Sequence, residues 1–274
     1  MSRSGPLLIA LIAGVVQVSA AQAPPATPFL TGQIGVMAMD IPSYPGSDQR
    51  WLVPVPVIDL RLGNRIYLGG GANGLSGGAG VFLVQTGAFT WSADFVLTQD
   101  RPEDRTDALA GMDDRGFGAF AGSTLSYRVG PLQATASVAQ GLEDRMGTMG
   151  TVGLSAGTPF GGRWFGQLGG MAVFGSCQNL AWDFAVTEEQ AERRRELLQQ
   201  GTAGLRAGDD VPYTPTECGL REIRATANLA YSVSQRISAI ATGTGTRLER
   251  GAAKSPLTRE RNSWEAGVGL SWRF

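Results

Sequence analysis

From Trp264 onward, apolar residues occupy every second position: Trp264, Ala266, Val268, Leu270, Trp272 and Phe274 alternate with Glu265, Gly267, Gly269, Ser271 and Arg273. A period of two predicts a two-faced β-strand, and aromatic residues near both ends with aliphatic ones between fit a face that meets lipid. Ala88 to Thr98 repeats the pattern, with Phe89, Trp91, Ala93, Phe95 and Leu97 on one side. Along the whole chain, this alternation and the Gly, Pro, Asn and Ser clusters that interrupt it predict twelve strands. They are Thr31–Ile41, Arg50–Leu62, Arg65–Asn73, Ser76–Gln85, Ala88–Thr98, Phe117–Val129, Leu132–Gly141, Thr148–Thr158, Arg163–Phe174, Glu222–Val233, Ile237–Leu248 and Ser263–Phe274. Pro54 and Pro56 cannot donate ladder hydrogen bonds, so the second strand is expected to be irregular or bulged there.

Parity supports the number twelve. In a barrel with its N-terminus in the periplasm, short inner turns alternate with longer outer loops. Gly63-Asn64, Thr86-Gly87, Gly130-Pro131, Pro159 to Gly162 and Ser234-Gln235 all fall on the inner side. Fusing Arg65 to Gln85 into one strand would reverse every later assignment; ten strands is the fallback. The fold class expected is therefore all-β, a transmembrane antiparallel β-barrel in which Ser263–Phe274 pairs with Thr31–Ile41 and leaves no sheet edge.

The alternation stops between residues 175 and 221, which reads as one long extracellular loop. It contains one helix, Thr187 to about Gln200, with a Thr187/Gln190 capping box, Glu188 and Glu189 in the first turn and Gly201 at the exit. Arg193-Arg194-Arg195 reads as a solvated face of that helix, and the mixed charges of Gln99 to Arg115 as a solvated loop rather than a cation site. Cys177 and Cys218 bracket the insertion, and in an oxidising envelope compartment their simplest role is a disulfide.

Composition narrows the location and the chemistry. Arg3, an apolar run from Leu7 to Val18 and small residues up to Ala23 make a secretory signal over residues 1–21, with cleavage near Ala20 or Ala21. Residues 22–274 then form a single outer-membrane barrel domain. The run of about a dozen apolar residues is short of the ~20 a spanning helix needs. Formal net charge is −1, and losing Arg3 adds one negative unit, so no nucleic-acid footprint follows. The chain has no histidine and only two cysteines, which disfavours zinc, haem and histidine-dependent catalysis. Gly69 to Gly74 spells G-x-G-x-x-G, but a sequence that resists helix follows it; G-x-S-x-G at Gly74–Gly78 and Gly153–Gly157 likewise leads into no helix. No enzyme, metal or cofactor is expected.

Three blocks carry a family resemblance. Tyr44-Pro45-Gly46-Ser47-Asp48 precedes Val53-Pro54-Val55-Pro56-Val57-Ile58-Asp59. Phe184-Ala185-Val186-Thr187-Glu188-Glu189-Gln190-Ala191 is followed downstream by Gly219-Leu220-Arg221-Glu222-Ile223. Ser255-Pro256-Leu257-Thr258 runs into the last strand. Together the blocks resemble the MipA/OmpV family of outer-membrane proteins across essentially the whole mature chain. The resemblance implies a scaffold that brings a murein hydrolase and a murein synthase together at the outer membrane, besides contact with outer-membrane lipid. Phe274 resembles the C-terminal signal by which barrels are recognised for assembly. Two other readings stand beside the scaffold. Small inward residues such as Thr226, Asn228 and Ser232, with Arg128, Arg224, Arg273, Asp94 and Glu265, could line a narrow diffusion channel or form a salt-bridged filling. The long loop could act as a surface-exposed, adhesin-like binding element.

Overall fold

The computed structural model describes residues 29–69 and 78–274. Twelve strands are present: β1 Leu30–Pro42, β2 Arg50–Leu62, β3 Ile66–Gly69, β4 Gly78–Gln85, β5 Phe89–Leu97, β6 Ala119–Val129, β7 Leu132–Gly141, β8 Thr148–Phe160, β9 Trp164–Gly175, β10 Gly219–Ser232, β11 Ile237–Leu248 and β12 Asn262–Arg273. Each pairs antiparallel with its sequence neighbours, and β12 closes on β1, from Gln33 opposite Arg273 to Asp40 opposite Ala266. Twelve residues at ~3.3 Å per residue and a tilt of ~40° rise about 30 Å, enough to cross a bilayer core. The predicted signal segment, G-x-G-x-x-G after Gly69 and the first G-x-S-x-G before Gly78 lie outside the described residues. Gly153–Gly157 falls inside β8, which ends in a tight turn to β9 rather than a helix.

Alternation sorts side chains between lipid and lumen. On the outside, Leu52, Leu154, Leu168 and Val268 are 76%, 70%, 67% and 64% exposed, values that make sense only if hydrocarbon covers them. Aromatic residues gather where strands approach the inner turns. Trp164 packs 4.7 Å from Tyr231, Phe160 stacks at 6.3 Å on Trp164, and Trp272 lies 5.0 Å from Phe274. This is the interfacial girdle of a membrane barrel.

The lumen has two unlike walls. Met37, Met39, Ile41, Val53, Val55 and Val57 turn inward from β1 and β2 and form a buried apolar cluster with Ile240 and Trp51. A Cβ at Gly267 or Gly269 of β12 would collide with Met39 or Met37 and with the β1 backbone, so glycine there lets the methionines lie flat across the wall. The opposite wall carries hydroxyls and amides: Ser137 bonds Thr151 at 2.7 Å, and Thr242 donates to Asn228 at 2.6 Å. Asp94 accepts from the Tyr67 and Thr124 hydroxyls.

β2 is not bulged at its prolines. Its register with β1 is unbroken from Leu30 opposite Leu62 to Pro42 opposite Arg50. The Gly63 amide donates to Phe29 O and the Ser43 amide to Gln49 O, which places odd-numbered residues of β2 in the hydrogen-bonded pairs. Pro54 and Pro56 therefore turn their nitrogens away from β1. On that far side β3 pairs only with Asp59 to Leu62, so among the described residues no ladder bond is asked of either proline.

Candidate functional site

The outer ends of the strands carry a folded cap rather than free loops. The 176–218 segment contains two helices, α1 Cys177–Phe184 and α2 Glu188–Gln199, and a short third, α3 Arg250–Ala253, follows β11. The capping signals in the sequence indicate α2, and its Thr187/Gln190 capping box is complete. It misses α1, only eight residues long, whose one local signal is Ser176: its hydroxyl accepts the Asn179 amide at 3.2 Å as N-cap. The 98–118 loop adds single 3-10 turns at Glu103–Arg105 and Asp107–Leu109.

These pieces share a hydrophobic core of their own. Tyr44, Ala108, Leu109, Met112, Val186, Ala191 and Leu257 cluster from four different loops, with Tyr213 against them. Phe184 packs with Leu248 and Ala252, and Met146 joins Val96, Phe120 and Ala139 at the seam with the barrel. The expectation that Gln99 to Arg115 is a solvated loop is thus corrected: Leu109 is fully buried, and Arg101 and Arg105 are buried with it.

The residues of the three sequence blocks converge here. Ser255 Oγ donates to Phe184 O at 2.6 Å, and the Leu257 amide donates back to Ser255 Oγ at 3.1 Å, so Pro256 rounds the turn that seats Leu257 in the core. Gly46, with φ of 91°, presents its carbonyl to the amides of Arg259 and Glu260. Ser47 caps the same loop through the Gln49 amide, Asp48 pairs with Arg206 at 2.5 Å, and Pro45 stays exposed beside buried Tyr44. Gly219 and Leu220 begin β10, and just above them the Cα atoms of Cys177 and Cys218 stand 5.1 Å apart with their sulfurs joined.

Two charged centres hold the cap. Arg194 is fully buried, which corrects the reading of Arg193-Arg194-Arg195 as a solvated face. Its Nε donates to Asp209 O at 2.7 Å and its NH1 to the carbonyls of Ala110 at 3.0 Å and Ala108 at 3.2 Å, while Asp209 also pairs with Arg259. Arg193 and Arg195 remain partly exposed, facing Asp113 and Asp210. Arg194 follows buried Ala191 by three residues on α2, so the helical period puts both on the inward face while Arg193 and Arg195 fall to either side of it. The second centre is Asp183, at the end of α1. Arg115 and Arg221 pair with its carboxylate, the latter at 2.7 Å, and Arg101 donates to its carbonyl at 2.8 Å. Burial opposes ionisation of Asp183, but the Arg115, Arg221 and Arg101 guanidiniums outweigh it and hold the carboxyl well below the usual carboxylate range. Burial also lowers the Arg101 guanidinium to about 10, with Arg115 adding to the effect.

Arg221 reaches Asp183 because β10 slips register against β9 between Leu220 and Glu222. The extra residue turns Arg221 and Glu222 both inward, where Glu222 pairs with Arg224. Between this layer and the barrel lies a cavity of ≈ 700 Å³, bounded among others by Ile41, Phe120, Arg101, Arg221 and Glu265. Of the inward charges singled out from the sequence, Arg224 and Glu265 line this cavity, Asp94 sits in the wall below, and Arg128 and Arg273 lie at the opposite end. Among the described residues no group of three His, Cys, Asp or Glu side chains is placed to hold a metal ion. What the arrangement does is mechanical: it packs a folded cap over the strand ends that carry the long loops.

Comparison with known proteins gives one family. The family described as MltA-interacting protein MipA matches residues 34–274. No curated protein matches the chain. Among solved structures, the KdgM porin is 10% identical, with 89% of this chain and 99% of that one aligned at a TM-score of 0.43. An outer membrane channel from Pseudomonas putida F1 is 10% identical over 92% of this chain and 100% of that one, also at 0.43. The NanC porin is 7% identical over 89% and 100%, at 0.41. Likeness this distant adds nothing to what the closed register already shows.

Proposed function

The chain belongs to the family of MltA-interacting protein MipA, and from that premise we propose that this outer-membrane barrel is a non-enzymatic scaffold linked to the murein synthesis and hydrolysis machinery. The observation that carries the reading is the cap. A diffusion channel needs an unobstructed outer mouth, whereas here four loops meet over it in a core whose Leu109, Val186, Ala191 and Leu257 are buried. A barrel stoppered in this way offers surfaces rather than a passage. The family description names MltA as the partner, and the resemblance supplies the partner classes, a murein hydrolase and a murein synthase.

The test is a crosslinking pull-down of the full chain from intact envelopes. Recovery of murein hydrolase or synthase supports the scaffold, and their absence from crosslinked material that retains the barrel overturns it. A narrow channel is the second reading, favoured by the hydroxyl- and amide-lined wall below the cavity. Stepwise conductance of the intact protein in a planar bilayer would decide for it.

A further inference from the structure

Charge is distributed very unevenly along the barrel axis. Of the 24 acidic residues in the sequence, only Asp59 lies near the end that carries the short turns. That end carries six arginines: Arg61 on β2, Arg65 in the next turn, Arg128 on β6, Arg163 between β8 and β9, Arg236 between β10 and β11, and Arg273 on β12. The closed strand order spreads them around the circumference. Among the described residues none of the six enters an ion pair, whereas thirteen basic residues elsewhere do. Their contacts are neutral: Arg128 donates to Gln133 Oε1 at 2.6 Å, Arg163 to the Tyr231 hydroxyl at 3.4 Å, and Arg61 lies 5.5 Å over the Phe82 ring. Asp59 itself is buried.

We propose that this rim is a docking surface for an anionic, carboxylate-bearing periplasmic polymer, namely peptidoglycan. The short turns place the rim on the periplasmic side, directly above the polymer whose stem peptides carry free carboxylates. Guanidinium forks match carboxylates bidentately, and six of them spread over a ring suit repeated, separate acceptors. Two features weigh against other occupants. Arg61, Arg128 and Arg273 stand in the lumen-facing phase of their strands, with Tyr67, Thr124 and Ser271, and so turn away from the lipid headgroups around the barrel. The turns themselves are two to four residues long and built of Gly, Asn, Thr, Pro, Ser, Gln and Ala beside the arginines, with Val233 the one larger apolar side chain among them and none of the aromatic anchors typical of a protein interface.

This inference needs no protein partner, so its failure and that of the scaffold reading are separable. The folded full chain in detergent is sedimented with purified sacculi free of bound protein. Wild type should pellet with them, and retention should fall about tenfold when sacculus carboxylates are amidated or when three rim charges are neutralised. Two triple variants guard against misfolding: Arg61→Gln/Arg128→Gln/Arg273→Gln, and Arg65→Gln/Arg163→Gln/Arg236→Gln on the exposed turns. Both are checked for heat-modifiable mobility. Arg193→Gln/Arg195→Gln on the cap should bind as wild type. Undiminished binding to amidated sacculi, or by both rim variants, overturns the proposal. So does a loss confined to phosphatidylglycerol vesicles, which would assign the rim to lipid phosphate.

Discussion

Arg194 sits fully buried between α2 and the 98–118 loop, with three backbone carbonyls and Asp209 around it. Removing one partner of a buried pair leaves the other charge stranded, so Arg194→Ala is expected to cost the cap about 3 kcal/mol. Limited proteolysis should then cut the 176–218 segment sooner, while the barrel keeps its heat-modifiable mobility. Asp183 gives a pH dependence of defined sign. Its folded-state carboxyl titrates below the ordinary value of ~3.9, so its contribution is fully present above that value and is lost as pH falls through the lower folded one. Cap protection should therefore hold down to about pH 4 and weaken only in stronger acid. In Asp183→Asn it should already be reduced at neutral pH, because Arg101, Arg115 and Arg221 lose their counter-charge. Equal protection of variant and wild type at pH 7 would refute this role.

Among the elements, α1 leads the chain from the barrel into the cap. Its first residue, Cys177, is joined to Cys218 at the foot of β10, 41 positions later. A closure of that length constrains the unfolded loop by about 4 kcal/mol in the chain-entropy view. Cys177→Ser should raise protease sensitivity of the cap without changing barrel assembly, and a mobility shift between reduced and non-reduced gels checks the link. Strands of regular alternation are legible in sequence because one face meets lipid and the other does not; β2, β7 and β11 match their expected bounds residue for residue. The prolines of β2 mislead because sequence records a missing donor but not which neighbour that donor would have faced. α1 stays hidden because eight residues are too few for a period of 3.6 to declare itself.

At the scale of the whole molecule, cap and girdle set what the barrel does. If the cap closes the outer mouth, the intact protein should show no sustained opening in a planar bilayer, and a variant with 178–217 replaced by a short Gly-Ser link should conduct. Equal conductance of the two would remove the main support for the scaffold. Phe274 packs on Trp272 and its amide donates to Gly32 O at 3.2 Å across the closing seam, so its removal should lower the folded, heat-modifiable fraction in membranes. Sequence by itself determined the strand number, the direction of each strand, the lipid face and the inner turns. Those follow from a local, period-two choice between hydrocarbon and lumen that each residue makes with its neighbours two positions away. It also placed Tyr44, Phe184, Thr187 and Ser255 in conspicuous blocks without saying that they meet. Only the tertiary structure decided that the 98–118 loop and Arg194 are buried, that a bulge brings Arg221 to Asp183, and that six scattered arginines form one rim. Each of these depends on residues far apart in sequence, brought together by barrel closure and by the packing of the cap loops on one another.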